Sequence, residues 1–110
     1  MLTRTEVDKM FDELYEKLDN LKTDEDHAEY LVRYFMDLVK YWDELPQKTT
    51  TERLNGLLHS ILVTLDGGAV ATPPYILTPL KATEDGEDYF STDLDITGGL
   101  HDTFNRLRKD

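Results

Sequence analysis

The sequence predicts a mainly helical α+β fold: a bundle of three longer helices, a short β-hairpin or extended arm, and a C-terminal helix. Three observations carry this expectation. Apolar residues recur at helical spacing through the first two-thirds of the chain. Thr-x-x-Glu signals precede the first and third of those runs, Pro46 closes the second and Gly67-Gly68 the third. After Gly67-Gly68 the pattern gives way to proline-bracketed, β-prone residues.

In the first helix, Thr3-Arg4-Thr5-Glu6 reads as a capping box, with the Thr3 hydroxyl and Glu6 carboxylate satisfying free amides of the first turn. Val7, Met10, Phe11, Leu14, Leu18 and Leu21 then form one apolar stripe, backed by Asp8, Asp12, Glu13, Glu16, Lys17 and Asp19. The second helix starts near Thr23 or Asp24, where three successive acids suit the positive end of the helix dipole. Its stripe is Ala28, Leu31, Phe35, Leu38, Trp42 and Leu45, and Pro46 ends it. That 3–4 alternation suits a neighbouring helix crossing at about 20°, or equally the seam of a homodimer.

The third helix has a second capping box, Thr49 to Glu52, and the stop Gly67-Gly68. Leu54, Leu57, Leu58, Ile61, Leu62 and Leu65 give it the densest apolar face, which makes it the expected centre of the core. Beyond it, Pro73-Pro74 enforces extended backbone, and Tyr75–Thr78 is the first β-prone run, closed by Pro79. Glu84–Asp88 is a polar turn, and Tyr89–Thr92 is the expected returning strand. Gly99–Lys109 reads as the last helix, with Leu100, Phe104 and Leu107 on one side and Arg106, Arg108 and Lys109 in its final turns.

No internal repeat or linker divides the 110 residues, so they form one expected domain, 1–110. The net charge of −11 disfavours direct binding to nucleic acid or to a membrane surface and favours basic partners or solubility. Residues 1–44 hold thirteen acids and six bases, whereas 45–80 hold two of each. The absence of cysteine rules out disulfides, zinc–thiolate sites and thiol catalysis. The first fourteen residues show no apolar signal region, and no run approaches the ~20 apolar residues of a membrane span. A cytoplasmic address is the default expectation.

Candidate chemistry is sparse. His59 falls off the leucine stripe of the third helix, on the polar side beside Asn55, with Asp66 two turns along roughly the same side. His101 follows Gly98-Gly99 at the start of the last helix, where the dipole lowers an imidazole pKa. With Asp95 these residues are the candidate ligand site, a general base or metal ligand requiring a carboxylate or second histidine nearby. The acids around Gly86 fail the EF-hand spacing, since Asp85 directly precedes the glycine and Thr92 stands six residues after it. A solvated turn is the better reading. No phosphate loop, G-x-S-x-G or H-E-x-x-H occurs, so neither a catalytic signature nor a cofactor is expected. Tyr34, Tyr41 and Trp42 on the second helix are the candidate interaction face.

Three blocks carry a resemblance: Leu57–Gly68 with its Leu-Asp-Gly-Gly, the extended Pro74–Pro79, and Asp95–His101. Together they are similar to a family of small bacterial and phage-associated proteins with a closing Asp-Ile-x-Gly-x-Leu-His. The likeness covers the second half of the chain and implies a grouping with no assigned mechanism. It adds emphasis to His59, Asp66, Asp95 and His101.

The expected function is a non-catalytic, acidic interaction protein, binding a protein partner or itself, as in a phage or mobile-element accessory protein. A sharper form is an inhibitor whose carboxylates mimic DNA phosphates. The alternative is a small enzyme or metal- or ligand-binding protein built around the histidines and aspartates. That alternative predicts a polar cleft where the third helix meets the last. The interaction reading predicts an exposed apolar or acidic patch instead.

Overall fold

A computed structural model describes residues 3–108. The order is α1 (Arg4–Asp19), α2 (Asp24–Asp43), α3 (Thr50–Leu65), β1 (Leu80–Ala82), β2 (Tyr89–Ser91) and α4 (Leu100–Leu107). The fold is therefore mainly α, with a two-stranded antiparallel hairpin and a C-terminal helix. Lys109 of the expected last helix lies outside the described residues.

Local chemistry sets the helix ends. At α1 the Thr3 hydroxyl accepts from Glu6 N at 3.1 Å, but among the described residues no return bond from Thr3 N reaches the Glu6 carboxylate. The expected box is half made. The complete boxes are at α3, between Thr49 and Glu52, and at α2, between Thr23 and Asp26. Asp26 accepts from the amides of Lys22 and Thr23, which hold its carboxyl below the usual value despite slight desolvation. At the far end of α3, Gly68 N donates to Val63 O and Gly67 N to Thr64 O, both bonds of a Schellman stop. Gly67 takes φ +84°, a left-handed conformation that a side chain resists.

The hairpin forms one step later than expected. Leu80 pairs with Ser91, Lys81 with Phe90 and Ala82 with Tyr89. The returning strand is where the sequence puts it, but Tyr75–Thr78 is not its partner. Pro79 does not end the first strand but precedes it, where its missing N–H costs no ladder bond. Thr83 N donates to Asp88 O and Gly86 N to Thr83 O, which fixes the register from the turn outward. The 75–78 segment is an extended arm tied to residues 95–97. Ile96 N donates to Leu77 O, Leu77 N to Asp95 Oδ1, and the Thr97 hydroxyl to Tyr75 O.

α3 is central, because it alone among the described elements touches both α2 and α4. Its contact with α2 centres on small residues, beside a groove that Leu54 and Leu57 share with Val39, Trp42 and Asp43. Trp42 of α2 lies on Gly56 and Ser60, which with Thr64 form a stripe of small residues at four-residue spacing on α3. The indole Nε1 donates to Ser60 Oγ at 3.0 Å, and Ser60 and Thr64 donate in turn to Gly56 O and Ser60 O. Thr64 is the most buried of these, 1% exposed, whereas Leu54 on the leucine face is 61% exposed. α3 is thus the central helix that the sequence predicts, but its contact with Trp42 falls on the small-residue stripe, and Leu54 and Leu58 stay exposed. Small residues let the helix backbones approach and the indole fill the gap.

The backbone of α1 comes close to no other described helix or strand, and side chains join it to α2. Lys17 Nζ sits 5.4 Å from the centre of the Tyr30 ring, and Leu14 and Lys17 line a groove with Tyr30, Tyr34 and Ala71. The Tyr30 hydroxyl donates to Ala71 O and ties α2 to the segment after α3. The radius of gyration is 17.5 Å, against about 13 Å for a compact domain of this length. Among the described residues no apolar side chain is fully buried.

Candidate functional site

Asp66 and His101 are brought together because α4 lacks a cap of its own. Its N-cap is Gly99, which has no side chain to accept from the free amides of the first turn. The Schellman stop of α3 leaves Asp66 facing that bare end. Its Oδ1 accepts from Gly98 N at 2.7 Å, and its Oδ2 accepts from His101 N at 2.9 Å. His101 Nδ1 lies 2.6 Å from the same Oδ2. One carboxylate from α3 thus caps α4 across 35 residues of sequence and orients its histidine. Gly98 takes φ +98° in the tight entry that aims these amides inward.

The electrostatics follow from this geometry. The Asp66 side chain is only 2% exposed, and burial pushes its carboxyl up. The hydrogen bonds from the His101 amide and ring and from the Leu100 and Gly98 amides outweigh burial, so its pKa lies below the usual carboxylate range. For His101 the bond to Asp66 is the main cause of an upward shift, partly opposed by desolvation and supported by the charge of Asp102. The dipole-lowered imidazole expected from sequence is therefore corrected: a bonded carboxylate outweighs the end of a helix only eight residues long.

His59 stands edge-on to His101, with ring centres 5.9 Å apart, and its Nε2 is 3.4 Å from Asn105 Nδ2. Asp95 is close by but does other work. Its Oδ1 accepts from the Thr97 hydroxyl, Thr97 N and Leu77 N, bonds that lower its pKa against the charge of Asp66. The four candidates therefore split: Asp66, His101 and His59 form a contiguous cluster, and Asp95 pins the extended arm.

His101 has carboxylates on both sides, with Asp102 Oδ1 3.6 Å from Nε2. Among the described residues no hydroxyl bonds to either imidazole, so the pair lacks the nucleophile that a Ser–His–Asp arrangement needs. Among the described residues no group of three His, Cys, Asp or Glu side chains is placed so that it could hold a metal ion. The arrangement anchors a helix, and its strength varies with protonation.

A polar groove of about 350 Å³ does open where α3 meets α4, lined by Trp42, Lys48, Glu52, Asn55, Gly56, His59, Asn105 and Arg108. Of the four candidates only His59 reaches it. Of the expected interaction face, Tyr41 is exposed and meets the Trp42 ring edge-on with centres 5.4 Å apart, Trp42 also packs on α3, and Tyr34 lines the α1–α2 groove.

No protein-family model, curated protein or solved structure matches the chain. Among the described residues no helix is long and apolar enough to cross a membrane.

Sequence reasoning missed the Gly56–Ser60–Thr64 stripe and the partnership of His59 with Asn105. The stripe was visible as small residues at four-residue spacing opposite the leucines. The partnership spans 46 residues and leaves no local signal.

Proposed function

We propose that the chain is a non-catalytic interaction module that binds a protein partner or a second copy of itself. The supporting observation is its surface. The chain exposes 8811 Å², whereas a compact monomer of 12.8 kDa exposes about 6,300 Å². The difference, roughly 2,500 Å², includes large apolar side chains on every element, among them Met10, Val32, Met36, Leu54, Leu80 and Leu107. Patches of this kind mark interaction sites. The negative charge favours a basic rim on a foreign partner. Membership of the phage-associated family belongs to this proposal.

The test is affinity capture with the wild-type chain and with a variant carrying Val32→Glu and Met36→Glu on the exposed side of α2. A partner, or untagged copies of the chain, retained by the wild type and lost by the variant is the expected result. Recovery of nothing by either chain, together with a monomeric mass in solution, overturns the proposal.

The α3–α4 groove favours a second reading, a small polar ligand held beside His59 and Asn105. Ligand-dependent shifts of the His59 ring resonances, abolished by Asn105→Ala, would support it. A flat response across a panel of small metabolites would remove it.

A further inference from the structure

Acids outnumber bases 23 to 12 along the chain, but the groove between α3 and α4 reverses that balance. Among the described residues that line it, Lys48 and Arg108 face a single acid, Glu52. That acid is already engaged, because its Oε1 accepts from Thr49 N at 3.0 Å in the capping box of α3. Its Oε2 lies 4.0 Å from Lys48 Nζ, the outer limit of an ion pair, and both side chains are about half exposed. So loose a pair leaves the ammonium able to turn to an occupant of the groove. The Arg108 guanidinium lies 5.6 Å from the centre of the Phe104 ring, which helps to hold it at the C-terminal end of α4.

Neutral donors stand between these two cations. Asn55 and His59 are half-buried on α3, and the Asn55 side-chain amide bonds to nothing among the described residues. Asn105 of α4 donates one N–H to His59 Nε2 over a long 3.4 Å. Trp42 closes the groove on the α2 side.

We propose that this groove binds a small organic phosphate, with Lys48 and Arg108 neutralising the phosphate and the Asn55 and Asn105 amides donating to its oxygens. This rests on the reading of the groove as a ligand site and names the class of ligand. The reversed charge selects an anion, since two cations repel a cationic ligand and add little for a neutral one. The donors stand on three elements, namely the loop before α3, α3 itself and the end of α4. A tetrahedral phosphate accepts from several directions at once, whereas one arginine fork satisfies a planar carboxylate. The volume of about 350 Å³ is at the lower end of small-molecule sites and leaves room for an organic group beside Trp42. The whole chain's charge opposes any anion, but at about 0.15 M salt the Debye length is about 8 Å, so the groove's own cations dominate.

Nuclear magnetic resonance on the full chain tests this, at fixed pH and about 0.15 M ionic strength. The probes are phenyl phosphate, benzoate, benzamide and benzylamine, which share a ring and differ in the head group. The signals are the Asn55 and Asn105 side-chain amides, the His59 ring and the Trp42 indole. Phenyl phosphate is expected to shift them saturably, with a Kd of about 1 mM or tighter, and benzoate to bind at least about 10-fold more weakly. Lys48→Gln and Arg108→Gln, both at exposed positions, are each expected to weaken phenyl phosphate by about 10-fold or more. Lys81→Gln removes the same charge from the hairpin and is expected to change the affinity by less than about twofold. An equal loss in that variant assigns the effect to overall charge and overturns the proposal. Benzoate binding as tightly as phenyl phosphate overturns the choice of phosphate. Saturable shifts with benzamide or benzylamine and none with phenyl phosphate overturn the anionic class while leaving the groove a ligand site. No saturable shift with any of the four overturns the proposal, and the metabolite panel then decides the broader reading.

Discussion

Replacing Gly56 with alanine sets two effects of opposite sign against each other. Gly56 lies inside α3, where alanine is intrinsically favoured over glycine by about 1 kcal/mol. Against this, a methyl group at position 56 would meet three carbons of the Trp42 ring at under 3.0 Å. To regain ordinary contact the indole must retreat by about 1 Å, at an overpacking cost of about 1–3 kcal/mol. That shift stretches the 3.0 Å Nε1–Ser60 Oγ bond out of hydrogen-bonding range, a further loss of about 1 kcal/mol. The contact outweighs the propensity, and Gly56→Ala is expected to destabilise the fold by about 1–3 kcal/mol net, lowering Tm by roughly 4–8 °C for each kcal/mol. Urea unfolding followed by Trp42 fluorescence measures the change at the junction itself. Repeating the substitution in a Trp42→Leu background removes the clash, and there alanine is expected to be neutral or stabilising by up to about 1 kcal/mol. A higher midpoint for Gly56→Ala in the wild-type background would refute the close approach of indole and glycine.

The remaining predictions concern the caps and the Asp66–His101 staple. Asp66→Asn keeps the shape but weakens the acceptor of three described bonds, and is expected to cost about 2 kcal/mol, seen first as loss of amide-exchange protection in α4. His101 has a raised folded pKa, so its contribution is complete below its ordinary value of 6.5 and is lost as pH rises through the folded value. Asp66 has a lowered pKa, so its contribution is complete above 3.8 and is lost as pH falls through the folded value. Protection of α4 is therefore expected to peak between those two ordinary values, and His101→Ala should flatten the alkaline limb while leaving the acid one. An unchanged alkaline limb in that variant would assign the pH dependence to another group. Thr23→Ala and Thr49→Ala are each expected to cost about 1 kcal/mol in chemical denaturation, since each removes the hydroxyl half of a complete capping box.

The helices were legible because their signals are local. The Thr49–Glu52 box, the Gly67-Gly68 stop and the Pro46 terminator act within a few residues of where they stand. The box at Thr23 escaped notice because its third position is Asp26, where the usual pattern has Glu or Gln, although the shorter carboxylate still reaches the amide. The first strand was misplaced because Tyr75–Leu77 has the stronger β preference, while the ladder is set by the turn at 83–88 and so falls on Leu80–Ala82. The candidate site was legible only as a list of residues. That Asp66 meets His101 depends on Gly99 leaving a helix end uncapped, a need visible in sequence, but with its remedy 33 residues away.

The choice of helix face links the fold to the proposed function. A leucine-rich stripe and a small-residue stripe on one helix compete for the same neighbour, and apolar area alone favours the leucines. On α3 the small residues take α2, because only they admit an indole against the backbone and supply its hydrogen-bond acceptor, Ser60. Trp42 is committed there, while Val32 and Met36, about 80° and 120° round the helix from it at 3.6 residues per turn, are 55% and 64% exposed. A chain whose apolar residues were meant only to close its own core would not leave Met36 and Leu54 over half exposed while burying two threonines, Thr64 and Thr72. On the proposed interaction reading, charge answers this: the thirteen acids of residues 1–44 would keep a chain with exposed apolar residues on α1 and α2 dispersed until a partner covers them. Acidity and exposed apolar surface would then both follow from the proposed association.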